Sequence, residues 1–277
     1  TTTTLLGLLL AERFGKEKTR VGGNIGYPLS EVVLEAGEGG AVAAEISSYQ
    51  MEATEHFRPK VAAVLNVTPD HIKRHGSMEV YQAMKEKLFA AQTAEDYLVL
   101  NADDPHTRGM AERAAGRVCL FSRREELAEG ACVRADGMIV IRWDGAEHVL
   151  IPADELGIPG AHNVENVLAA SAMALFAEVT PAEMRPVLRA FKGVEHRIEF
   201  VRALAGVSYY NDSKATNTDS AIKALEAFDG HIILIAGGDD KLTDLGAFME
   251  LVHARVDELI LVGDAAERFA AAARDAG

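Results

Sequence analysis

The sequence predicts an α/β protein: a domain built on a mostly parallel central sheet, followed by a partial, doubly wound Rossmann-like domain. Three observations carry this. In the first half, short apolar runs of the buried-strand type alternate with segments of helical period. Residues 132–151 interrupt that alternation with closely spaced strands and turn signals. From about residue 198, strand–helix repeats resume, and strands exit into glycine at Gly237-Gly238 and at Gly263.

The elements follow in order. The chain opens on Thr1-Thr2-Thr3-Thr4, and residues 5–14 have the pattern of a helix already under way. Residues 41–46 and 61–66 are apolar runs expected as strands. Residues 78–93 are spaced as a helix, with Val80, Met84, Leu88 and Ala91 on one side. Residues 97–101 read as a strand closed by the turn residues Asp103, Asp104 and Pro105, and 117–121 as another. Val133, 138–142 and 148–151 read as short antiparallel strands, with turns at Asp136-Gly137 and Asp144-Gly145. Helices are expected at 163–177 and 181–190, the second opened by Thr180-Pro181, because proline's fixed φ suits the first helical turn. Beyond, 207–211, 231–236 and 258–262 read as strands, and 219–228 and 245–256 as helices. The domain boundary is expected between Lys192 and Glu199, giving domains 1–196 and 197–277.

At roughly 100–200 residues per domain, 277 residues suit one large domain or two unequal ones. A hydrophobic share of 48% supports a sizeable core. The formal charge of −14 argues against a nucleic-acid binder held by a general basic surface. No apolar run reaches the ~20 residues of a membrane-spanning helix. Cys119 and Cys132 form neither a disulfide framework nor a metal cluster, so a reducing, cytoplasmic compartment is expected. The opening threonines, without a start methionine or signal peptide, and the stop at Gly277 lead us to expect a fragment of a longer protein.

Several polar strings emerge at strand ends, where parallel sheets bind ligands. Glu45 closes an apolar strand ahead of Ser47-Ser48 and suits Mg²⁺ beside a phosphate; its bland alternative is a solvated loop acid. His71, in the string of residues 66–71, is a candidate metal ligand, whereas His75 reads as a surface histidine. Lys85 shares a helical face with Tyr81 and by spacing alone is an exposed helical lysine. Asn163 and Asn166 suit either a base contact or helix capping. The opening threonines suit either a helix start after a phosphate loop or simple capping. The densest string is NDSKATN (211–217), whose Asp212, Lys214 and Thr216 suit an anionic or zwitterionic ligand. GGDDK (237–241) adds a second acid–lysine turn.

Taken in order, GGNIG (22–26), EISSYQ (45–50), LNVTPDH (65–71), YQAMK (81–85), NADD (101–104), GAHNVEN (160–166), EHR (195–197), NDSKATN (211–217) and AGGDDK (236–241) resemble the Mur ligases. The last two strings resemble the D-glutamate-adding branch. The resemblance implies a P-loop type ATPase domain truncated at its start, most of it present, and the first part of an amino-acid-binding domain. It implies a monomeric cytoplasmic ligase acting in peptidoglycan precursor synthesis. Such a ligase joins D-glutamate to UDP-N-acetylmuramoyl-L-alanine through an acyl phosphate, with ATP, two Mg²⁺ ions and a carbamylated lysine. It places Glu45 on one Mg²⁺, and His71 with carbamylated Lys85 on the second. Thr1 or the residue before it would face Mg²⁺. Asn166 would contact adenine, Arg197 a phosphate or ribose, Asp212 the ribose and Lys214 the phosphates. Asn24, Ser47 and Gln50 fall on the muramoyl side, and Thr216 and Lys241 on the D-glutamate side. Asp240 departs from the family pattern, where a glycine is common, and adds negative charge to that turn. Without a phosphate-loop lysine, the isolated chain is expected to be inactive. The alternatives are a sister Mur or folyl-type ligase using another amino acid, and a non-catalytic nucleotide-binding module.

Overall fold

The computed structural model describes residues 1–158, 160–240 and 242–276. The chain forms two compact units, Thr1–Lys192 and Gly193–Gly277.

The first unit begins with α1 (Thr2–Phe14), β1 (Thr19–Gly23), α2 (Leu29–Ala36), β2 (Ala41–Glu45) and α3 (Ser48–Glu52). It continues with β3 (Val61–Val64), α4 (Ile72–His75), α5 (Met78–Glu86), β4 (Tyr97–Asn101), α6 (Pro105–Met110) and β5 (Arg117–Ser122). β6 (Gly130–Val133), β7 (Met138–Trp143), β8 (Ala146–Pro152), α7 (Ala161–Phe176) and α8 (Pro181–Ala190) complete it. β1 and β2 form a parallel pair, and β3 to β8 form a six-stranded sheet in sequence order. β3 to β6 run parallel, while β7 and β8 turn back antiparallel, as the turn signals predict. Asp144 (φ 49°) and Gly145 (φ 78°) make the two-residue turn between β7 and β8, with both central residues left-handed as a type I′ hairpin requires.

The core sits where α1 and α7 cover strands. Leu5, Leu9, Leu98, Leu100 and Leu168 are wholly buried, each contributing about 1.5–3 kcal/mol relative to exposure. α7 is buried from Val167 to Ala174. Its alanines and Ser171 keep that helix thin enough to pack close on its neighbours. Thr180 opens α8 with a reciprocal capping box to Glu183, and Pro181 follows it, as expected.

Three expectations are corrected. The helix spaced over 78–93 ends as α5 at Glu86, and residues 87–92 continue only as tight turns. There the Lys87 ammonium reaches back to the backbone carbonyls of Met51 and Glu52. β1 and α2 were not expected: TRVGG has no apolar run, and its strand exists through its ladder with β2. The second unit opens with an antiparallel hairpin, β9 (Glu199–Leu204) and β10 (Val207–Asn211), rather than a lone strand.

The second unit continues with α9 (Thr218–Glu226), β11 (Ile232–Gly237), α10 (Gly246–Arg255), β12 (Val256–Val262) and α11 (Ala266–Ala276). β11 and β12 pair in parallel. Leu225, Leu245, Phe248, Met249 and Val252 form its core. No helix among the described residues is long and apolar enough to cross a membrane.

Candidate functional site

In the first unit the candidate residues gather at the C-terminal ends of β1 and β2 and the start of α1. Gly23 pairs with Glu45 in the ladder, and the Asn24 N–H donates to the Glu45 carbonyl at 2.7 Å. The strands approach so closely that a Cβ at Gly23 (φ 108°) would lie 2.3 Å from that carbonyl oxygen. This brings the Asn24 side-chain amide to the Glu45 carboxylate, donating to Oε1 at 3.1 Å. The Thr3 hydroxyl donates to Oε2 at 3.5 Å. Both donors are neutral groups, so neither is an ionic partner of the carboxylate.

Thr1 is the N-cap residue of α1, but its side chain makes no capping bond, which sets aside simple capping as its role. Thr2 is buried, and its hydroxyl donates to the Asn166 Oδ1 at 2.7 Å. The Asn166 Nδ2 in turn donates to the Asn163 Oδ1 at 3.0 Å. Helix α7 starts from Gly160, so neither asparagine is its N-cap residue. The opening threonines thus touch both the expected metal acid and the expected adenine residue.

Ser47 and Gln50 are joined in a capping box on α3: Ser47 Oγ accepts from the Gln50 N–H at 3.3 Å, and Gln50 Oε1 accepts from the Ser47 N–H at 2.8 Å. Between them and α5 runs an aromatic column. The Tyr49 hydroxyl bonds the His71 Nδ1 at 2.9 Å. His75 stacks between Tyr49 and Tyr81, with ring centroids 5.7 and 5.4 Å away. His75 is not a surface residue: it is buried and bonded to the Ser48 hydroxyl at 3.0 Å. Helix α4 turns it inward, while His71 adopts a left-handed backbone (φ 55°) just before that helix.

Lys85 is likewise not a plain surface lysine. It is half-buried, with its ammonium 4.9 Å from the Tyr81 ring centroid. Burial pushes its pKa below the ordinary lysine value, against the opposing charges of Asp70 and Asp104. Burial also pushes the Tyr81 phenol up to about 12, with Asp70 and Tyr49 adding to the rise.

Among the described residues, no three His, Cys, Asp or Glu side chains gather in the manner of a protein-caged metal centre. Mg²⁺ does not need such a cage, because it usually takes one or two carboxylates and completes its shell with water and phosphate oxygens. Glu45, flanked by neutral donors and threonine hydroxyls, fits that demand.

In the second unit, Asp212 follows β10, and its Oδ1 accepts from the Ile198 N–H at 3.0 Å. Burial raises its pKa, opposed by that bond and by the nearby Arg197 charge. Lys214 and Thr216 are exposed on the same turn, and Asn217 caps α9 through Ser220. Gly237 closes β11, and Gly238 continues the turn with φ 104°. A cavity of about 100 Å³ is lined by Thr216, Asp239, Asp240, Thr243 and Arg268 among others. Lys241 lies outside the described residues. Sequence reasoning missed Arg268, which is 28 positions from its partner Asp240 and belongs to no polar string.

The chain matches the family described as Mur ligase middle domain over residues 1–174, and that described as Mur ligase, glutamate ligase domain, over 196–277. It is 48% identical over 271 residues to a UDP-N-acetylmuramoylalanine–D-glutamate ligase of Acidobacterium capsulatum, covering 97% of this chain and 58% of that protein. It is 47% identical over 277 residues to the ligase of the same name from Pelotomaculum thermopropionicum, covering 100% of this chain and 60% of that protein. The chain thus spans about 60% of the length of these curated relatives. Among solved structures, MurF from Acinetobacter baumannii superposes with a TM-score of 0.72 at 19% identity, covering 100% of this chain and 64% of that one. MurF from Thermotoga maritima in complex with ADP gives a TM-score of 0.69 at 18% identity, covering 98% of this chain and 70% of that one. At these identities the structures show the shared α/β fold.

Proposed function

Since the chain belongs to the Mur ligase family, we propose that it carries the nucleotide-binding part and a portion of the amino-acid-binding part of an amide-forming ligase. That ligase joins D-glutamate to UDP-N-acetylmuramoyl-L-alanine at the expense of ATP. The observation that supports this most is the 48% identity, spanning both units, to a relative named for that reaction.

The reaction has two steps. The carboxylate of the muramoyl substrate takes the γ-phosphoryl group of ATP, releasing ADP. The neutral amine of D-glutamate then attacks the acyl carbon and loses its proton, and phosphate leaves as the amide forms. Positioning and charge stabilisation dominate such phosphoryl transfer. Mg²⁺ supplies neutralisation of phosphate charge; Glu45 would hold one ion, and His71 with Lys85 a second. Asn24 and Thr3 hold the Glu45 carboxylate in place through their hydrogen bonds. Tyr49 fixes the His71 ring. Asn166, held by Thr2, would meet adenine, with Thr1 and Lys214 toward the phosphates. Arg197 and Asp212 would meet the ribose side. Asn24, Ser47 and Gln50 would line the muramoyl side, and Thr216 and Lys241 the D-glutamate side.

Lys85 fits the family's carbamate. A lysine serves as a metal ligand only after its neutral amine adds CO₂ and sheds a proton, giving a carboxylate-like oxygen donor. Burial favours the neutral amine. Uptake should therefore rise with pH, beginning below the range of an exposed lysine. Carbon-13 spectra of the chain in labelled bicarbonate should show a carbamate resonance that Lys85→Arg removes; an unchanged spectrum would return Lys85 to a packing role.

The ligase reading is tested in a version extended to the length of the relatives. Phosphate release should require UDP-N-acetylmuramoyl-L-alanine and D-glutamate together, while the 277-residue chain alone should stay silent. Turnover with a different amino acid would assign a sister ligase, and nucleotide binding without any turnover would leave a binding module.

A further inference from the structure

The turn after β11 is held by one side chain from α11. Arg268 meets Asp240 edge-on: its Nε donates to Oδ2 and its Nη2 to Oδ1, each at 2.8 Å. Its Nη1 also donates to the Thr243 carbonyl at 3.0 Å. The bonded residues flank position 241 in the sequence. The ion pair is partly sheltered, with 34% of the Arg268 side chain and 19% of the Asp240 side chain exposed. Two parallel charge-assisted bonds fix orientation as well as supplying attraction, and a lysine cannot reproduce them.

Both partners line the cavity that also contains Thr216 and Asp239. An anionic amino acid entering this cavity meets Asp240 as a neutralised group. Asp239 already places one acid in the wall, so unpairing Asp240 would add a second. We propose that Arg268 is a positioning residue for the amino-acid substrate: it cancels the Asp240 charge within the cavity and pins the turn on both sides of position 241. The proposal rests on the reading that this cavity receives D-glutamate. It also accounts for an acid at position 240, which alone would oppose such a ligand.

The test is a D-glutamate titration of the nitrogen-15-labelled 277-residue chain, following the amides of Thr216, Asn217 and Gly238, with a melting curve for every variant. Arg268→Gln should weaken D-glutamate binding at least tenfold. The double variant Arg268→Gln with Asp240→Asn should regain most of that loss, because the second acid is no longer there. Arg268→Lys should fall between wild type and Arg268→Gln. A merely structural arginine would lower the melting temperature in both glutamine variants and give no recovery of binding in the double variant. Binding by Arg268→Gln equal to wild type, or a double variant as weak as the single one, would overturn the assignment of Arg268 alone. A wild-type chain whose amides ignore D-glutamate would overturn the underlying reading of the cavity, and the proposal with it.

Discussion

The two-stranded parallel ladders β1–β2 and β11–β12 solve the same local problem and then part. Each ends on a glycine paired with the last residue of its neighbour, Gly23 with Glu45 and Gly237 with Val262. In each, the next N–H donates to that neighbour's carbonyl, at 2.7 Å from Asn24 and 2.9 Å from Gly238. Each glycine has positive φ and leaves no room for a side chain, a Cβ falling 2.3 Å or 1.9 Å from a backbone oxygen. The difference lies in how each unit treats its acid. Neutral amide and hydroxyl groups hold Glu45, which stays available to a cation. A guanidinium holds Asp240, so that carboxylate is spent inside the protein. On the proposed reading, a similar strand exit would serve a cation in one unit and admit an anion in the other.

The largest expected effect breaks the ladders themselves. Gly237→Ala and Gly23→Ala must both drive a Cβ into a backbone carbonyl at a left-handed position, a cost of about 2–4 kcal/mol. Urea unfolding should show the loss, from the second unit for Gly237→Ala and from the first for Gly23→Ala. Wild-type midpoints would mean the strands are not so close.

Next comes the acid. Glu45→Gln keeps its shape but loses its charge, and should weaken Mg²⁺-dependent nucleotide binding at least tenfold with little change in melting temperature. Asp240→Asn should leave that binding unaltered, and equal losses from the two would erase the contrast. A smaller effect is expected from Asn24→Ala, which removes one neutral hydrogen bond worth about 0.5–1.5 kcal/mol. It should loosen metal-dependent binding by less than Glu45→Gln does.

The narrowest signature, a change in the shape of the acid limb, concerns a third acid, Asp96, which is treated like Asp240. The Arg58 guanidinium beside it, with bonds from Thr93, holds its carboxyl down at about 2. A lowered native pKa stabilises the fold above the ordinary carboxylate range, and that contribution fades as pH falls toward 2. Acid unfolding of Asp96→Asn should therefore lack the part of the wild-type decline that lies between about pH 4 and pH 2.

Much of the fold was legible because local chemistry announced it. Thr180-Pro181 and the turn at Asp144-Gly145 each act within a few residues. What was missed depends on distant partners. TRVGG becomes a strand only through β2, and β9, which is largely exposed, offers no alternation of buried and exposed positions. Within the candidate sites, Glu45, His71 and the turn at 211–217 stood out because polar groups followed strand-like runs. The burial of His75 and the lowered pKa of Lys85 did not, since both come from packing between α3, α4 and α5. The Asp240–Arg268 pair spans two elements and leaves no local signature.

The contrast between the acids is tested most directly by paramagnetic Mn²⁺ added, with ATP, to the nitrogen-15-labelled chain. Amides around Thr3, Asn24 and Glu45 should broaden selectively, and Glu45→Gln should abolish that broadening while Asp240→Asn leaves it in place. Broadening centred on Asp240, or none near Glu45, would contradict that contrast.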